Sequence, residues 1–201
     1  DLNTPNLLSS NDITCLTEDN NHHIWFGTKR GLYKLDKRNY SITEITNKEL
    51  QQQAINAIRA IHDGTIWVAA DGMIYHYSND SKLLGSYPSQ WKGHKQNVSD
   101  FYEDSKHTLW IMQWWGGLLE YHPATDHFLP HPWTCGASPT QMIEDAQNNC
   151  YWIATWGKGV VRFTPSANIQ TDTDNCTLQP ATLEGSEHNP HKSQILGLLK
   201  D

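Results

Sequence analysis

Histidine and cysteine are the residue types of this 201-residue sequence that could bind a metal or carry out acid–base and thiol chemistry, and there are eleven and four of them, respectively. The cysteines form no CxxC pair and lack the dense spacing of a disulfide framework, so we interpret them as buried or inert thiols. The histidines are scattered, and the pair His188 and His191 has no further ligand type close by in the sequence. No metal site and no cofactor are therefore predicted.

Recognisable catalytic motifs are also missing. The sequence has no GxSxG, no HExxH and no glycine-rich phosphate loop. An acid–base mechanism would need a pair of titratable groups that does not recur along the chain, and the isolated residues His94 and His131 are the candidates for it. The sequence thus favours a protein that binds a ligand over one that catalyses a reaction.

Aromatic residues are unusually frequent, with nine tryptophans, eight tyrosines and four phenylalanines, which suits a β-rich protein. The run IMQWWGG, residues 111–117, places Trp114 beside Trp115. Adjacent residues of a strand face opposite ways, so at least one of these two indoles is expected to face something other than the core of its own sheet.

The charge of the sequence excludes one class of partner. The formal net charge is −7 and runs of Lys or Arg are absent, whereas nucleic-acid binding begins with a basic footprint. No stretch of about 18 apolar residues is present, and the first residues, DLNTPNLLSS, lack the charged and apolar regions of a signal peptide. We expect a soluble segment that does not bind nucleic acid, and a mature or excised part of an exported protein is compatible with it.

An internal repeat in the sequence predicts where the tryptophans lie in the fold. Four segments share a tryptophan, and the intervals between these tryptophans are 42, 43 and 42 residues: Trp25, Trp67, Trp110 and Trp152. Each segment has an alternating apolar run, a turn, a short run with the tryptophan, a glycine and two further apolar runs. Such a unit predicts a four-stranded antiparallel sheet, and about 42 residues per sheet is the period of a β-propeller blade.

Acidic residues recur at the same point of the repeat. Asp19, Asp104 and Asp145 each follow the first apolar run. A catalytic carboxylate would not recur in blade after blade, whereas Asp accepts hydrogen bonds from the backbone of its own turn. We interpret these three residues as turn residues.

The predicted fold class is all-β, composed of β-propeller blades, with no helix of consequence. The blades are expected at approximately residues 8–46, 54–88, 97–131 and 139–180, and the segment 193–201 resembles the first strand of a further blade. Propellers protect their edges by closing with more blades than four. The sequence is therefore expected to be a fragment of a larger propeller.

The first repeat resembles that of a known family. Its string LSSNDITCLTEDNNHHIWFGTKRGLYKLD is similar to the two-component regulator propeller repeat, whose pattern is roughly L-S-N-x-I-x-x-I-x-x-D-x-x-G-x-I-W-I-G-T-x-x-G-L-x-x-Y/F-D. The residues that fit this pattern are Leu8, Ser9, Asn11, Ile13, Leu16, Asp19, Ile24, Trp25, Gly27, Thr28, Gly31, Leu32 and Asp36. The third repeat departs from it, with Gln113, Trp114 and Trp115 where threonine is expected.

The resemblance implies a sensor. Members of this family are typically the extracytoplasmic regions of membrane-anchored hybrid two-component regulators that respond to glycan fragments. The resemblance therefore implies a periplasmic location, a homodimer in the full-length protein, and contact with the membrane only through parts of the parent protein outside these residues. The histidine kinase would also lie in those other parts, so this segment is expected not to be an enzyme.

The order of the strands places the remaining tryptophans. When the strands of a blade are labelled a to d, their alternating direction puts the b–c turns and the d–a connections at one end of the blades. The four repeat tryptophans lie on strand b, where blades pack face to face. The other five tryptophans map to the b–c turns and d–a connections: Trp91, Trp114, Trp115, Trp133 and Trp156.

This end of the blades is the predicted ligand site. Indoles stack on the C–H faces of sugars, and a few polar groups bind the hydroxyls, so we interpret the ligand as an oligosaccharide or another small polar molecule. The candidate ligand-binding residues are Trp114, Trp115, Trp156, Trp91, Trp133, Gln113, Arg30, Lys158 and His94.

Two other functions fit the same sequence. Trp and Arg also dominate protein interfaces, so a propeller that binds a protein partner is one of them. The other is a propeller enzyme of the lyase type, similar to the streptogramin-inactivating propellers, whose repeats carry strings such as HDGTIW.

Overall fold

All regular elements in the described part of the chain are β-strands. This computed structural model describes residues 8–131, 133, 135–165 and, for the backbone, 176–179. Within these residues no helix has the length and apolar character needed to cross a membrane. The chain divides into two compact units, Asp1–Ser89 and Gln90–Asp201. The predicted strand at 193–201 lies outside the described residues.

The first unit contains two four-stranded antiparallel sheets in which consecutive strands pair. The first sheet consists of β1 (Ile13–Glu18), β2 (His23–Thr28), β3 (Gly31–Asp36) and β4 (Ser41–Glu44). The second sheet consists of β5 (Ile55–Ala60), β6 (Ile66–Ala70), β7 (Met73–Tyr77) and β8 (Leu83–Pro88).

The second unit begins with a hairpin of two short strands, β9 (Gln90–Trp91) and β10 (His94–Lys95). The third sheet follows, with β11 (Val98–Glu103), β12 (Leu109–Gln113), β13 (Leu118–His122) and β14 (His127–His131). The fourth sheet consists of β15 (Ser138–Asp145), β16 (Cys150–Trp156), β17 (Gly159–Phe163) and β18 (Cys176–Gln179). The predicted class, all-β with four-stranded antiparallel blades, is confirmed.

Within each unit the two sheets meet through their first strands. In the first unit the Thr14 hydroxyl on β1 donates a hydrogen bond of 2.6 Å to the Ile55 carbonyl on β5. In the second unit the Ser99 hydroxyl on β11 donates one of 2.5 Å to the Pro139 carbonyl on β15. The same position of the repeat thus supplies the side chain that ties one sheet to the next.

The repeated aspartates close the turns between the first and second strands, as predicted. Asp104 Oδ1 accepts the backbone N–H groups of Lys106 and Thr108, and Asp19 Oδ1 accepts those of Asn21 and His23. The buried carboxylates therefore accept hydrogen bonds from backbone N–H groups of these turns that would otherwise lack an acceptor.

The aspartates have a second role that the sequence did not reveal. The indole Nε1 of the repeat tryptophan donates to Oδ2 of the turn aspartate, at 2.8 Å for Trp25 to Asp19 and 3.1 Å for Trp110 to Asp104. Burial raises the pKa of Asp104, but the hydrogen bonds from Tyr151, from Trp110 and from the turn backbone outweigh it and hold the pKa below its ordinary value. Each turn is thereby connected to the core of its unit.

The repeat tryptophans form the core between sheets in both units. Trp25 packs against Tyr77 of the second sheet with ring centroids 6.2 Å apart, and Trp110 packs against Tyr151 of the fourth sheet at 5.2 Å. Trp25 and Trp110 are buried, as is Trp67, which stacks on His76 of its own sheet. Their fourth counterpart, Trp152, is half-buried.

Candidate functional site

The turn between β12 and β13, residues 113–117, presents one tryptophan to solvent. The backbone N–H of Gln113 donates to the Gly117 carbonyl at 3.1 Å, and that of Gly116 donates to the Gln113 carbonyl at 3.3 Å. Trp115 lies at the tip with a φ of 56°, in the left-handed region that a bulky side chain rarely adopts, and 78% of it is exposed. An exposed indole on a strained backbone contributes nothing to the core, which makes Trp115 a candidate for binding.

Two neighbouring segments hold this turn in place. The backbone N–H of Trp114 donates to the Asn97 carbonyl at 2.8 Å, just before β11. The backbone N–H of Trp115 donates to the Ser138 hydroxyl at 3.1 Å. Ser138 is also the partner of Trp156 across the β15–β16 ladder, so one residue links the turn of the third sheet to the end of β16 in the fourth.

Gln113, one of the predicted ligand-binding residues, lies inside the second unit. Its side chain is fully buried, and its Nε2 donates to the Gln90 carbonyl of the β9–β10 hairpin at 3.3 Å. A side chain with no exposed surface does not contact a ligand outside the protein. In this structure the Gln113 side chain therefore positions the turn and offers no surface to a ligand.

Trp91 and Trp133 pack behind the turn. A Cβ atom added at Gly117 would lie 2.5 Å from Cη2 of Trp91 and 2.9 Å from Cβ of Trp133, so both residues occupy the space beside this glycine. Trp133 Nε1 donates to the Ala137 carbonyl at 2.6 Å. Both indoles are half-buried, and their contacts support the turn from below.

Three tryptophans lie together at this end of the second unit: Trp115 and Trp156 are exposed, and Trp114 is half-buried. Trp114 and Trp156 meet edge to face, with centroids 6.1 Å apart and an interplanar angle of 68°. Trp156 is the last residue of β16 and is 38% exposed. We refer to Trp114, Trp115 and Trp156 as the tryptophan surface.

The β9–β10 hairpin adds polar groups to this end of the second unit. Lys92 and Gly93 join the two strands with φ values of 50° and 79°, the positive values that a two-residue type I′ turn requires. His94 lies opposite Trp91 in the hairpin and is exposed. The dipeptide Lys-Gly between Trp91 and His94 is the signal in the sequence that could have indicated this hairpin.

The remaining candidate residues lie in two different places. Lys158 is exposed in the turn between β16 and β17, two residues after Trp156. Arg30 is exposed in the turn between β2 and β3, where its backbone N–H donates to the Thr28 hydroxyl. Arg30 belongs to the first unit, so the candidates that the structure brings together are those of the second.

The histidines considered for acid–base chemistry have different surroundings. His131 is 1% exposed, and its Nε2 lies 2.7 Å from Oε2 of Glu120. The hydrogen bond from His131 holds the pKa of the Glu120 carboxyl below its ordinary value. His94 is exposed on β10. A substrate at the surface would reach His94 but not the ring of His131, so the two do not form an accessible acid–base pair.

Comparison with protein families gives one match. The model of the family described as "Two component regulator propeller" matches residues 7–30, the repeat that fits the pattern best, and the resemblance is confirmed there. A search of curated proteins by sequence found no match.

Solved structures with the same fold come from several kinds of protein. Virginiamycin B lyase from Staphylococcus aureus is 19% identical with a TM-score of 0.67, and the match covers 87% of this chain and 59% of the lyase. The extracellular domain of a hybrid two component system from B. thetaiotaomicron is 19% identical with a TM-score of 0.61, over 84% of this chain and 24% of that domain.

A third structure is PorZ, an essential bacterial surface component of the type-IX secretion system of Porphyromonas gingivalis. It is 15% identical with a TM-score of 0.62, and the match covers 80% of this chain and 28% of PorZ. The chain thus spans less than two thirds of each of these three proteins. At such identities the likeness shows a shared fold, and the three functions differ.

Proposed function

We propose that this chain, whose residues 7–30 match the two component regulator propeller family, is a segment of the extracytoplasmic sensing region of a two-component regulator. The tryptophan surface is its binding site, and the ligand is an oligosaccharide derived from a glycan. The structural likeness to the extracellular domain of a hybrid two component system supports the extracytoplasmic location.

The observation that carries this proposal is the exposure of Trp115, on a turn held by neighbouring segments of the second unit, and of Trp156 at the end of β16. Exposed indoles present flat apolar faces on which the C–H faces of a pyranose ring stack, while their N–H groups and nearby polar side chains bind hydroxyls. The supporting contacts of Gln113 and of Trp91 fix the turn before any ligand arrives, which reduces the entropy lost on binding.

The lyase alternative is less well supported by the site. His131 is buried against Glu120, which leaves His94 as the exposed histidine of the two candidates. Of the two histidines predicted for acid–base chemistry, both within the described residues, only His94 is accessible, so they do not supply the pair of groups that proton transfer would need. The segment therefore binds its ligand without changing it.

Signalling follows from differential binding. If the oligosaccharide binds one arrangement of the full-length dimer more tightly than another, the population shifts toward that arrangement by the difference in binding free energy. The dimer, the membrane span and the kinase belong to the parent protein in this proposal, and the segment described here supplies the ligand contact.

Calorimetric titration of the 201-residue chain with a panel of neutral and acidic plant and animal oligosaccharides tests this function. Trp115→Ala and Trp156→Ala are expected to weaken binding of the oligosaccharide that binds, each by about 1–3 kcal/mol if a stacked ring is lost. Tyr40→Ala is the matched control, because Tyr40 is also 78% exposed with a positive φ of 59° but lies in the turn between β3 and β4. Equal affinities of the wild type and both tryptophan variants would rule out this surface.

A further inference from the structure

Charge is distributed unevenly between the two ends of the second unit. The end with the tryptophan surface is formed by residues 90–97, 113–117, 131–138 and 155–159. These segments contain Lys92, Lys95 and Lys158 but no aspartate or glutamate, although the net charge of the whole chain is −7.

Four carboxylates of the second unit cluster at its opposite end, whereas Glu120 lies within β13 and Asp100 lies on β11 opposite Met112. The β11–β12 and β15–β16 turns and the strand ends beside them carry four carboxylates and one lysine: Glu103, Asp104, Glu144, Asp145 and Lys106. The carboxylates are thus separated from the tryptophan surface by the length of the strands, and each strand of five to eight residues spans roughly 17–27 Å. This exceeds the Debye length of about 8 Å at physiological ionic strength, so they neutralise the lysines at the other end only weakly.

Lys92 and Lys158 are exposed, and neither makes an ion pair with a carboxylate of the described residues. The corresponding turn of the first unit is different, because Lys29 beside Arg30 pairs with Asp12 at 2.9 Å. The two lysines of the second unit are therefore available to an anion that approaches the tryptophan surface.

We propose that the ligand of the tryptophan surface is an acidic oligosaccharide, which carries carboxylate or sulfate groups. This inference rests on the proposed function and specifies its ligand class. The sugar rings stack on Trp115 and Trp156. The anionic groups are bound by the ammonium groups of Lys158, two residues after Trp156 in the β16–β17 turn, and of Lys92, next to Trp91 in the β9–β10 hairpin. A lysine ammonium offers three donors and binds either anion as a point charge.

A single-stranded nucleic acid combines anionic groups with stacking bases, and it is the less favoured ligand. Its recognition uses a basic groove that follows many successive phosphates. The tryptophan surface has a few lysines in a chain of net charge −7, which suits one or two anionic groups on a short saccharide.

The test compares pairs of ligands with the same sugar backbone and different charge. The 201-residue chain is titrated with tetragalacturonate and with the same tetrasaccharide in which every carboxyl is methyl-esterified, and binding is followed by tryptophan fluorescence and calorimetry. A sulfated chondroitin tetrasaccharide and its desulfated form distinguish sulfate from carboxylate, and an octathymidylate tests the nucleic acid. We expect the more highly charged member of at least one pair to bind about tenfold more tightly at 50 mM salt, and the difference to shrink at 500 mM salt. The desulfated chondroitin tetrasaccharide keeps its carboxylates, so the esterified tetragalacturonate is the neutral reference.

Charge-removing variants connect this preference to the two lysines. Lys92→Gln and Lys158→Gln are each expected to weaken binding of the acidic ligand by about two- to fivefold and to leave binding of its neutral form unchanged. Lys106→Gln is the matched control, since it removes the same charge from the opposite end, and no change in either affinity is expected.

The outcomes separate this inference from the proposed function. If neutral and acidic oligosaccharides bind equally well, and Trp115→Ala weakens both, the acidic preference is overturned while the oligosaccharide site stands. If no oligosaccharide of either kind binds, both are overturned. Tighter binding of octathymidylate than of any saccharide would also overturn the inference, by assigning the surface to a nucleic acid.

Discussion

The turns that join the second and third strands of the sheets differ between the two units, although they occupy the same place in the repeat. In the first unit they read TKRG at residues 28–31 and ADGM at residues 70–73, without a tryptophan. In the second unit they read QWWGG at 113–117 and TWGKG at 155–159. The same structural task is thus performed with and without exposed indoles.

Threonine and glycine are sufficient to close such a turn. Thr28 and Thr155 are both fully buried, and their hydroxyls donate to the carbonyls of Gly31 and Gly159 at 3.2 and 2.7 Å. The fourth sheet keeps this arrangement and adds Trp156 to it. Since the turn closes without an indole in the first unit, the exposed indoles of Trp115 and Trp156 are not needed to close it, and this supports the binding role proposed for them.

The two units are alike at the opposite end, where aspartate and tryptophan are joined. The largest loss of stability is expected when this hydrogen bond between aspartate and tryptophan is removed. Asp104→Ala leaves the buried indole N–H of Trp110 and the hydroxyl of Tyr151 without their acceptor, and each such loss costs about 1–3 kcal/mol. We expect the free energy of unfolding to fall by about 2–5 kcal/mol, and Asp19→Ala to have an effect of similar size. Urea denaturation measures both.

Asp63 provides the control for this prediction. It lies in the equivalent turn of the second sheet but is exposed, and it accepts hydrogen bonds from the backbone and hydroxyl of Thr65. Asp63→Ala is expected to cost about 1 kcal/mol or less. A loss as large as that of Asp104→Ala would show that the bond to the tryptophan is not what distinguishes the buried aspartates.

A smaller loss of stability, confined to the second unit, is expected when Gly117 is replaced. Gly117→Ala places a methyl group 2.5 Å from Cη2 of Trp91 and 2.9 Å from Cβ of Trp133, and overpacking of this kind costs roughly 1–3 kcal/mol. Trp91→Phe removes the distant ring atoms and should recover part of the loss in the double variant. A double-mutant cycle in urea measures this coupling, and simple additivity of the two changes would contradict the packing described here.

The repeat made most of the fold predictable from the sequence. Its period identified the four-stranded sheets, and the position of Trp25 and Trp110 on the second strand of each repeat predicted their burial. These features depend on local alternation and on turn residues, which a sequence displays directly. The position of Trp114 and Trp115 in a turn followed from the same reasoning.

Features that depend on contacts between distant segments were not predictable. Gln113 occupies the position of a turn residue, but its side chain is buried because the β9–β10 hairpin passes beside it. Trp91 and Trp133 belong to connections, where side-chain direction has no period, and their packing against Gly117 is a tertiary contact. The bond from the repeat tryptophan to the turn aspartate was likewise hidden, since nothing in the spacing indicates which way an indole N–H points.

The smallest effect on stability is expected at Trp115, and its sign distinguishes binding from folding. Trp115 has a φ of 56° and a largely exposed indole. Trp115→Gly relieves a backbone strain of about 1 kcal/mol, while the greater flexibility of glycine in the unfolded chain offsets part of that gain. The free energy of unfolding should rise slightly or stay the same, and Trp115→Ala, which keeps a side chain on the left-handed backbone, should leave it unchanged. Both variants should bind the oligosaccharide more weakly in calorimetry. A residue that weakens the fold or leaves it unaffected, and yet is needed for binding, is retained for its ligand. A marked loss of stability in Trp115→Gly would instead give the indole a structural role and would remove the distinction between the turns of the two units.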